Sequence, residues 1–202
     1  MKKIFGILGL LVTVFALTWI LEPRFASAYN LQNIIRWTSL FGIISIGVAF
    51  VIITGGIDLS VGSLIGLVGC TITLLLADGY SIPVALAMVM ALSLTIGLLH
   101  GLLITRIGLQ PFVVTLCGLL FYRGFARWLT HDQVQGFGSS YEGLRHLAIG
   151  KIPLTDSFSI PIPFFILVFI GIIAALFLNR TIWGRYLLAL GRNEEAARYS
   201  GI

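Results

Sequence analysis

Asp58 is the residue on which any chemistry in this sequence must turn. It sits in Thr54-Gly55-Gly56-Ile57-Asp58-Leu59-Ser60-Val61-Gly62-Ser63, a polar interruption between two apolar runs with almost no loop around it. A carboxylate in such surroundings is costly and needs a partner, water or a cavity. Gly55 and Gly56 accept backbone angles that end a helix. Asp58 can then accept free N–H groups of the next helix, with Ser60 in its first turn. A helix broken and restarted at membrane depth is tolerated where it lines a cavity, and such breaks aim polar helix ends at a solute. The same residues also suit a plain N-cap at a tight turn that meets no solute. The two roles can coexist.

Other polar residues read more simply. His100 lies inside an apolar run, where it could relay a proton or contact a hydroxyl; without a carboxylate neighbour, the favoured reading is an interhelical hydrogen-bond donor. Arg123 and Arg127 share one helix face and are expected to reach the membrane interface. Cys70 and Cys117 lie inside apolar runs and begin no metal-ligand spacing, so neither a disulfide nor a metal site is expected. There is no phosphate-binding G-x-x-x-x-G-K-[ST] loop, no G-x-S-x-G elbow and no H-E-x-x-H pair. No catalytic set and no cofactor are expected. In the tail, Asn193 is a good N-cap, Glu194 and Glu195 complement the positive helix end, Arg198 sits near the negative end and Gly201 is a natural stop. A short capped helix over Asn193–Tyr199 follows, suited either to docking a partner or to lying on headgroups.

The elements that hold these residues come from hydropathy. Of 202 residues, 58% are hydrophobic and only 10% charged, against about a quarter charged in soluble domains. Mean hydropathy is +1.03. So few charges cannot cover the surface of a soluble fold, whereas a bilayer accepts an apolar exterior. The 23 glycines suit close helix packing in a membrane. The net charge of +5 sits at the ends of apolar runs, which reads as a topology signal and not as a nucleic-acid stripe.

Six apolar runs are predicted: Ile4–Leu21, Trp37–Thr54, Leu59–Ala77, Ile82–Ile104, one beginning at Leu109-Gln110-Pro111 and interrupted by Arg123 and Arg127, and Ile160–Leu178. The first would span ~27 Å as a helix. Ala26-Ser27-Ala28 resembles a signal-peptide cleavage site, but the apolar run is long for a signal peptide and Glu22, Pro23 and Arg24 intervene, so an uncleaved helix is favoured. The expected fold is an all-α integral membrane protein with about six transmembrane helices and a broken helix at the Gly-Gly-Ile-Asp motif. Six spans put Lys2, Lys3 and the tail arginines (Arg180, Arg185, Arg192, Arg198) on the cytoplasmic side together. The polar stretch Thr130–Ser159, with His131, Asp132, Glu142, Arg145, His146, Lys151 and Asp156, reads as a solvated loop or a place to pair with a docking protein.

The segment Thr54–Ser63 resembles the hallmark of the ribose-type sugar permeases of ABC transporters. The resemblance continues through Gln110-Pro111-Phe112-Val113-Val114-Thr115-Leu116, Arg123-Gly124 and Gly184-Arg185-Tyr186, and then Ala189-Leu190-Gly191-Arg192-Asn193-Glu194-Glu195-Ala196-Ala197-Arg198-Tyr199-Ser200-Gly201-Ile202. It implies a permease subunit in a bacterial inner membrane, with two copies together, sugar delivered by a periplasmic binding protein, and ATP hydrolysed by a separate cytoplasmic subunit. Gly55, Gly56, Asp58, Ser60 and Gly62 are then the candidate path residues. Gly191, Asn193, Glu194, Glu195, Ala196, Ala197 and Gly201 are the candidate ATPase-coupling residues. Residues 1–178 would be the membrane region and 179–202 a cytoplasmic coupling segment. Relatives of this kind continue through further spans, so the chain is expected to be an N-terminal portion. The alternatives are a permease for another small polar solute, such as a branched-chain amino acid, or a membrane subunit with a structural or assembly role.

Overall fold

The computed structural model describes residues 2–138, 140–155 and 158–201. Asp156, in the polar stretch, and Ile202, at the end of the tail, lie outside them. Among the described residues the architecture is helical apart from one short hairpin. Helices α1 (Lys2–Leu21), α2 (Ala28–Ile53), α3 (Val61–Ala77), α4 (Ile82–Thr105), α5 (Pro111–Thr130) and α7 (Ile162–Arg180) follow the six apolar runs. Of these, α2, α4, α5 and α7 are long and apolar enough to cross a membrane, while α1 and α3 carry shorter apolar stretches, Phe5–Leu21 and Val61–Ala77. The arginines in α5 do not break it. The polar stretch contains an amphipathic helix, α6 (Glu142–Ile149), and antiparallel strands β1 (Lys151–Pro153) and β2 (Ser159–Pro161), with Lys151 opposite Pro161. The tail folds into α8 (Ile182–Arg192) and α9 (Glu194–Tyr199).

Local sequence explains most of the boundaries. Pro83 and Pro111 stand in the first turns of α4 and α5, where a missing N–H costs nothing. Thr181 caps α8, its hydroxyl accepting from the Gly184 N–H at 3.0 Å. A side chain at Gly184 would overlap the carbonyl oxygens of Phe177 and Leu178, so glycine permits the tight corner from α7 into α8.

The chain forms two compact units. The first holds Met1–Ser45 and Glu142–Ala174. Within it, Phe15 meets Phe25 edge-on at 5.0 Å, Gly42 abuts the Leu167 side chain, and the Lys151 ammonium donates to the Gln32 carbonyl oxygen at 2.7 Å. That contact gives the nearly buried Gln32 amide a charged partner, the kind of pairing a buried polar group requires.

The second unit holds Ile46–Tyr141 and Ala175–Ile202. Its centre is α3, packed on α5 and α4. Leu67, Ile96 and Tyr122 form the buried cluster, flanked by Leu64, Leu92, Ala126 and Leu129. Outside this cluster, large apolar side chains lie open: Leu94 is 72% exposed and Phe121 65% exposed. Such a surface is stable against lipid and unstable against water. Near the end of α3, the Tyr141 hydroxyl donates to the Leu76 carbonyl at 2.6 Å, satisfying a helix-terminal acceptor. Replacing Tyr141 with Phe should lower the unfolding free energy in detergent by about 1 kcal/mol, the typical net value of one hydrogen bond. An unchanged denaturation midpoint would show that this bond does not hold α3.

Candidate functional site

The Gly-Gly-Ile-Asp segment is an unwound stretch of backbone between α2 and α3. Helix α2 ends as Gly55 turns left-handed at φ 79° and its N–H donates to the Ile52 carbonyl at 3.0 Å. Gly56 then donates to the Val51 carbonyl at 3.0 Å. These bonds satisfy carbonyls that the end of a helix leaves open. Further along the segment, Asp58 Oδ1 accepts from the Ser60 N–H at 2.8 Å and from the Ser60 hydroxyl at 2.7 Å. Ser60 is 1% exposed. The expected capping of α3 by Asp58 is not what the structure shows: Ser60 is itself the N-cap, and α3 has no side-chain cap. The carboxylate holds Ser60 one residue ahead of the helix, because the Asp58–Ser60 turn closes before α3 begins. The Ser60 carbonyl takes the first helical bond, from Leu64, at 2.9 Å.

Beside this segment lies a cavity of about 480 Å³ within the second unit. Its walls include Thr54, Gly55, Gly56 and Asp58 from the unwound segment, His100 and Thr105 from α4, Thr115 from α5, and Leu190 and Glu194 from the tail. Thr115 is 2% exposed, with its hydroxyl 2.8 Å from the Pro111 carbonyl and 3.3 Å from the Ile57 carbonyl. It ties α5 to the unwound segment. The His100 Nε2 and the Tyr122 hydroxyl share a hydrogen bond of 2.7 Å across α4 and α5. A Cβ at Gly118 would stand 2.9 Å from His100 Nε2, so Gly118 is the notch into which the imidazole fits. The lining offers hydroxyls, carboxylates and one imidazole, and no Lys or Arg among the described residues. Such groups can accept and donate hydrogen bonds to a small neutral polar molecule, and they oppose an anion.

The structure gathers some of the sequence-predicted residues here and distributes others. Gly55, Gly56, Asp58 and Glu194 line the cavity. Ser60 lies buried behind Asp58. Gly62 faces elsewhere, into a groove on the α3–α5 seam with Gly66, Cys70, Arg123 and Arg127. In the tail, Asn193 caps α9 by accepting from the Ala196 N–H at 3.0 Å. Asn193, Ala196 and Ala197 line a surface recess with Arg185 and Ser200. Ala197 is buried, Glu195 is exposed and Gly201 turns left-handed at φ 80°. Gly191 touches the end of α2: a Cβ there would overlap the Ile53 carbonyl oxygen. Arg127 is engaged with Asp132 at 2.5 Å, just past the end of α5. Sequence alone assigns no cavity role to His100, Thr115 or Leu190. His100 carries a local signal, as the lone histidine inside an apolar run, and its reading as an interhelical hydrogen-bonding group agrees with the bond to Tyr122.

Known proteins place the chain independently of this geometry. Residues 30–202 match the family model described as "Branched-chain amino acid transport system / permease component". The chain is 35% identical to the ribose import permease protein of Escherichia coli (strain K12) over 98% of its length and 60% of the relative's. It is 33% identical to the ribose import permease protein of Bacillus subtilis (strain 168) over 100% of this chain and 61% of the relative. It is 31% identical to an autoinducer 2 import system permease protein of Enterobacter sp. (strain 638) over 95% of this chain and 54% of that one. The chain therefore spans about three fifths or less of the length of these curated relatives. No solved structure matches it.

The Asp58 geometry yields a stability test. Asn retains an acceptor at the Oδ1 position, whereas Ala leaves the Ser60 N–H and hydroxyl without one, at a cost of about 1 kcal/mol or more. Asp58→Ala should therefore melt earlier in detergent than the parent, and Asp58→Asn should melt with it. Equal melting of all three would show that the carboxylate does not hold the start of α3.

Proposed function

The chain belongs to the permease family of branched-chain amino acid transport systems, and from that membership we propose that it is the membrane subunit of an ABC-type importer of a monosaccharide. The family description leaves the solute class open between amino acids and the sugars of the relatives' names. The lining of the Asp58 cavity favours the sugar. A branched-chain amino acid brings a carboxylate, which Asp58 and Glu194 would repel, and no Lys or Arg among the described lining residues would receive it. A sugar brings neutral hydroxyls, which donate to carboxylates and exchange hydrogen bonds with Thr54, Thr105 and His100.

In this account the six apolar helices all span the membrane, although only four are long and apolar enough by themselves. Both termini are cytoplasmic, the side that the positive-inside rule favours for the basic ends. Sugar arrives from an external binding protein, crosses between two permease copies, and leaves past the unwound segment. ATP is hydrolysed on a separate cytoplasmic subunit, and residues 179–202 form the segment that couples to it. The exposed Glu195 and the left-handed stop at Gly201 are the tail residues best placed to meet that subunit.

Two measurements test this reading. Uptake by the transporter, assembled with its ATPase and binding protein, should be seen with ribose or a related monosaccharide and not with leucine. Asp58→Asn should reduce uptake about tenfold at normal abundance, the value of a hydrogen bond to a charged group. Leucine uptake would overturn the sugar assignment, and near-parental sugar uptake by Asp58→Asn would leave Asp58 only as the structural partner of Ser60. Separately, topology reporters fused after Gly201 and at Gly143 should report opposite sides of the membrane. The same side for both would overturn the six-span arrangement.

A further inference from the structure

Gly191 is the last residue but one of helix α8, two before its C-cap Asn193. Its backbone is not left-handed, so no turn requires it. The requirement is steric. A Cβ at Gly191 would overlap the carbonyl oxygen of Ile53, the last residue of α2, where helical donors have run out. Gly201 offers the contrast: it is left-handed, and nothing lies within 4 Å of a Cβ there. The tail thus carries one glycine for a turn and another for a contact.

That contact places the tail against the cavity. Leu190, immediately before Gly191, and Glu194, the first residue of α9, line the same space as Thr54 and Asp58. From these observations we infer that the α8–α9 corner is one wall of the Asp58 cavity, and that Gly191 is the positioning residue that seats it on the end of α2. This inference deepens the permease reading and rests on it for its meaning in transport. The residues read from sequence as ATPase contacts then divide in two. Gly191 meets the end of α2 and Glu194 lines the cavity, while Glu195 and Gly201 remain for an outside partner. A force applied to α9 reaches Ile53 and the unwound segment through a backbone contact with no compliant side chain between them. Displacing α9 opens the cavity on the tail side.

The test reads the wall directly, without solute or ATP. Thr54→Cys is introduced as a reporter after Cys70→Ala and Cys117→Ala, in the full protein in lipid nanodiscs, and reacted with a water-soluble maleimide. Adding Gly191→Ala should push the corner off α2 and raise the labelling rate about fivefold, as expected when an open state gains population. Leu190→Ala removes a wall side chain without any clash and should raise the rate in the same direction, so the inference stands or falls even if Gly191→Ala does not insert. ATPase co-purification distinguishes a positioning role from a docking role. Gly191→Ala should retain its ATPase, whereas Glu195→Arg should lose it. Unchanged labelling in Leu190→Ala and in any inserted Gly191→Ala would overturn the inference, as would loss of the ATPase from an inserted Gly191→Ala with labelling unchanged. Failure of the permease reading would appear elsewhere, as absent monosaccharide uptake by the parent transporter with the labelling pattern intact.

Discussion

A peptide backbone that leaves its helix among apolar surroundings must find new partners for every N–H and carbonyl, and the second compact unit is arranged around that requirement. Residues 54–60 are the place where it arises. Gly55 and Gly56 fold the end of α2 back onto its own carbonyls. Asp58 supplies a charged acceptor for Ser60, and Thr115 brings a hydroxyl from α5 to the Ile57 carbonyl. The tail packs against the end of α2, with Gly191 beside the Ile53 carbonyl. A carboxylate is well suited to this position because it accepts two bonds at one oxygen and leaves the second oxygen for another donor.

The same arrangement explains why polar side chains gather at one cavity in an otherwise apolar unit. The hydrophobic surface outside the α3–α4–α5 core faces outward, since side chains such as Leu94 and Phe121 stay largely open, as contact with lipid demands. Polar side chains are then tolerated only where they pair or where water and solute enter. His100 illustrates the pairing: its imidazole fits the notch of Gly118 and bonds Tyr122. Thr115 is paired as well, its buried hydroxyl bonded to the Pro111 and Ile57 carbonyls.

How much of this was legible in the sequence differs by element. The six apolar runs located α1 to α5 and α7, because an apolar run as long as a bilayer is thick folds as a helix, the form that closes its own backbone hydrogen bonds. Helix α2 begins at Ala28, well ahead of its apolar run, since Asn30, Gln32 and Asn33 are polar enough to hide the helix from hydropathy. Helix α6 and the β hairpin were not legible, being short elements in a mixed polar stretch whose order depends on partners such as the Gln32 amide for Lys151. The Asn193 cap was legible because it is local, accepting from the nearby Ala196 N–H. Helix α8 was missed although Thr181 and Gly184 mark its start. At the site, Gly55, Gly56 and Asp58 stood out as a polar break. His100 stood out as an interhelical hydrogen-bonding group but not as cavity lining, and Thr115 and Leu190 did not stand out, because cavity lining arises from α4, α5 and the tail meeting in space. Gly191 was selected through family resemblance, and its contact with α2 is a tertiary fact that no spacing encodes.

The central claim is that the space beside Asp58 receives the sugar during transport. Photolabelling of the assembled transporter with a diazirine-bearing ribose analogue, followed by peptide mapping, tests it most directly. The account predicts adducts within residues 51–58 and 97–105, reduced by excess unlabelled ribose. Ribose-protected adducts confined to other segments, with none beside Asp58, would contradict it.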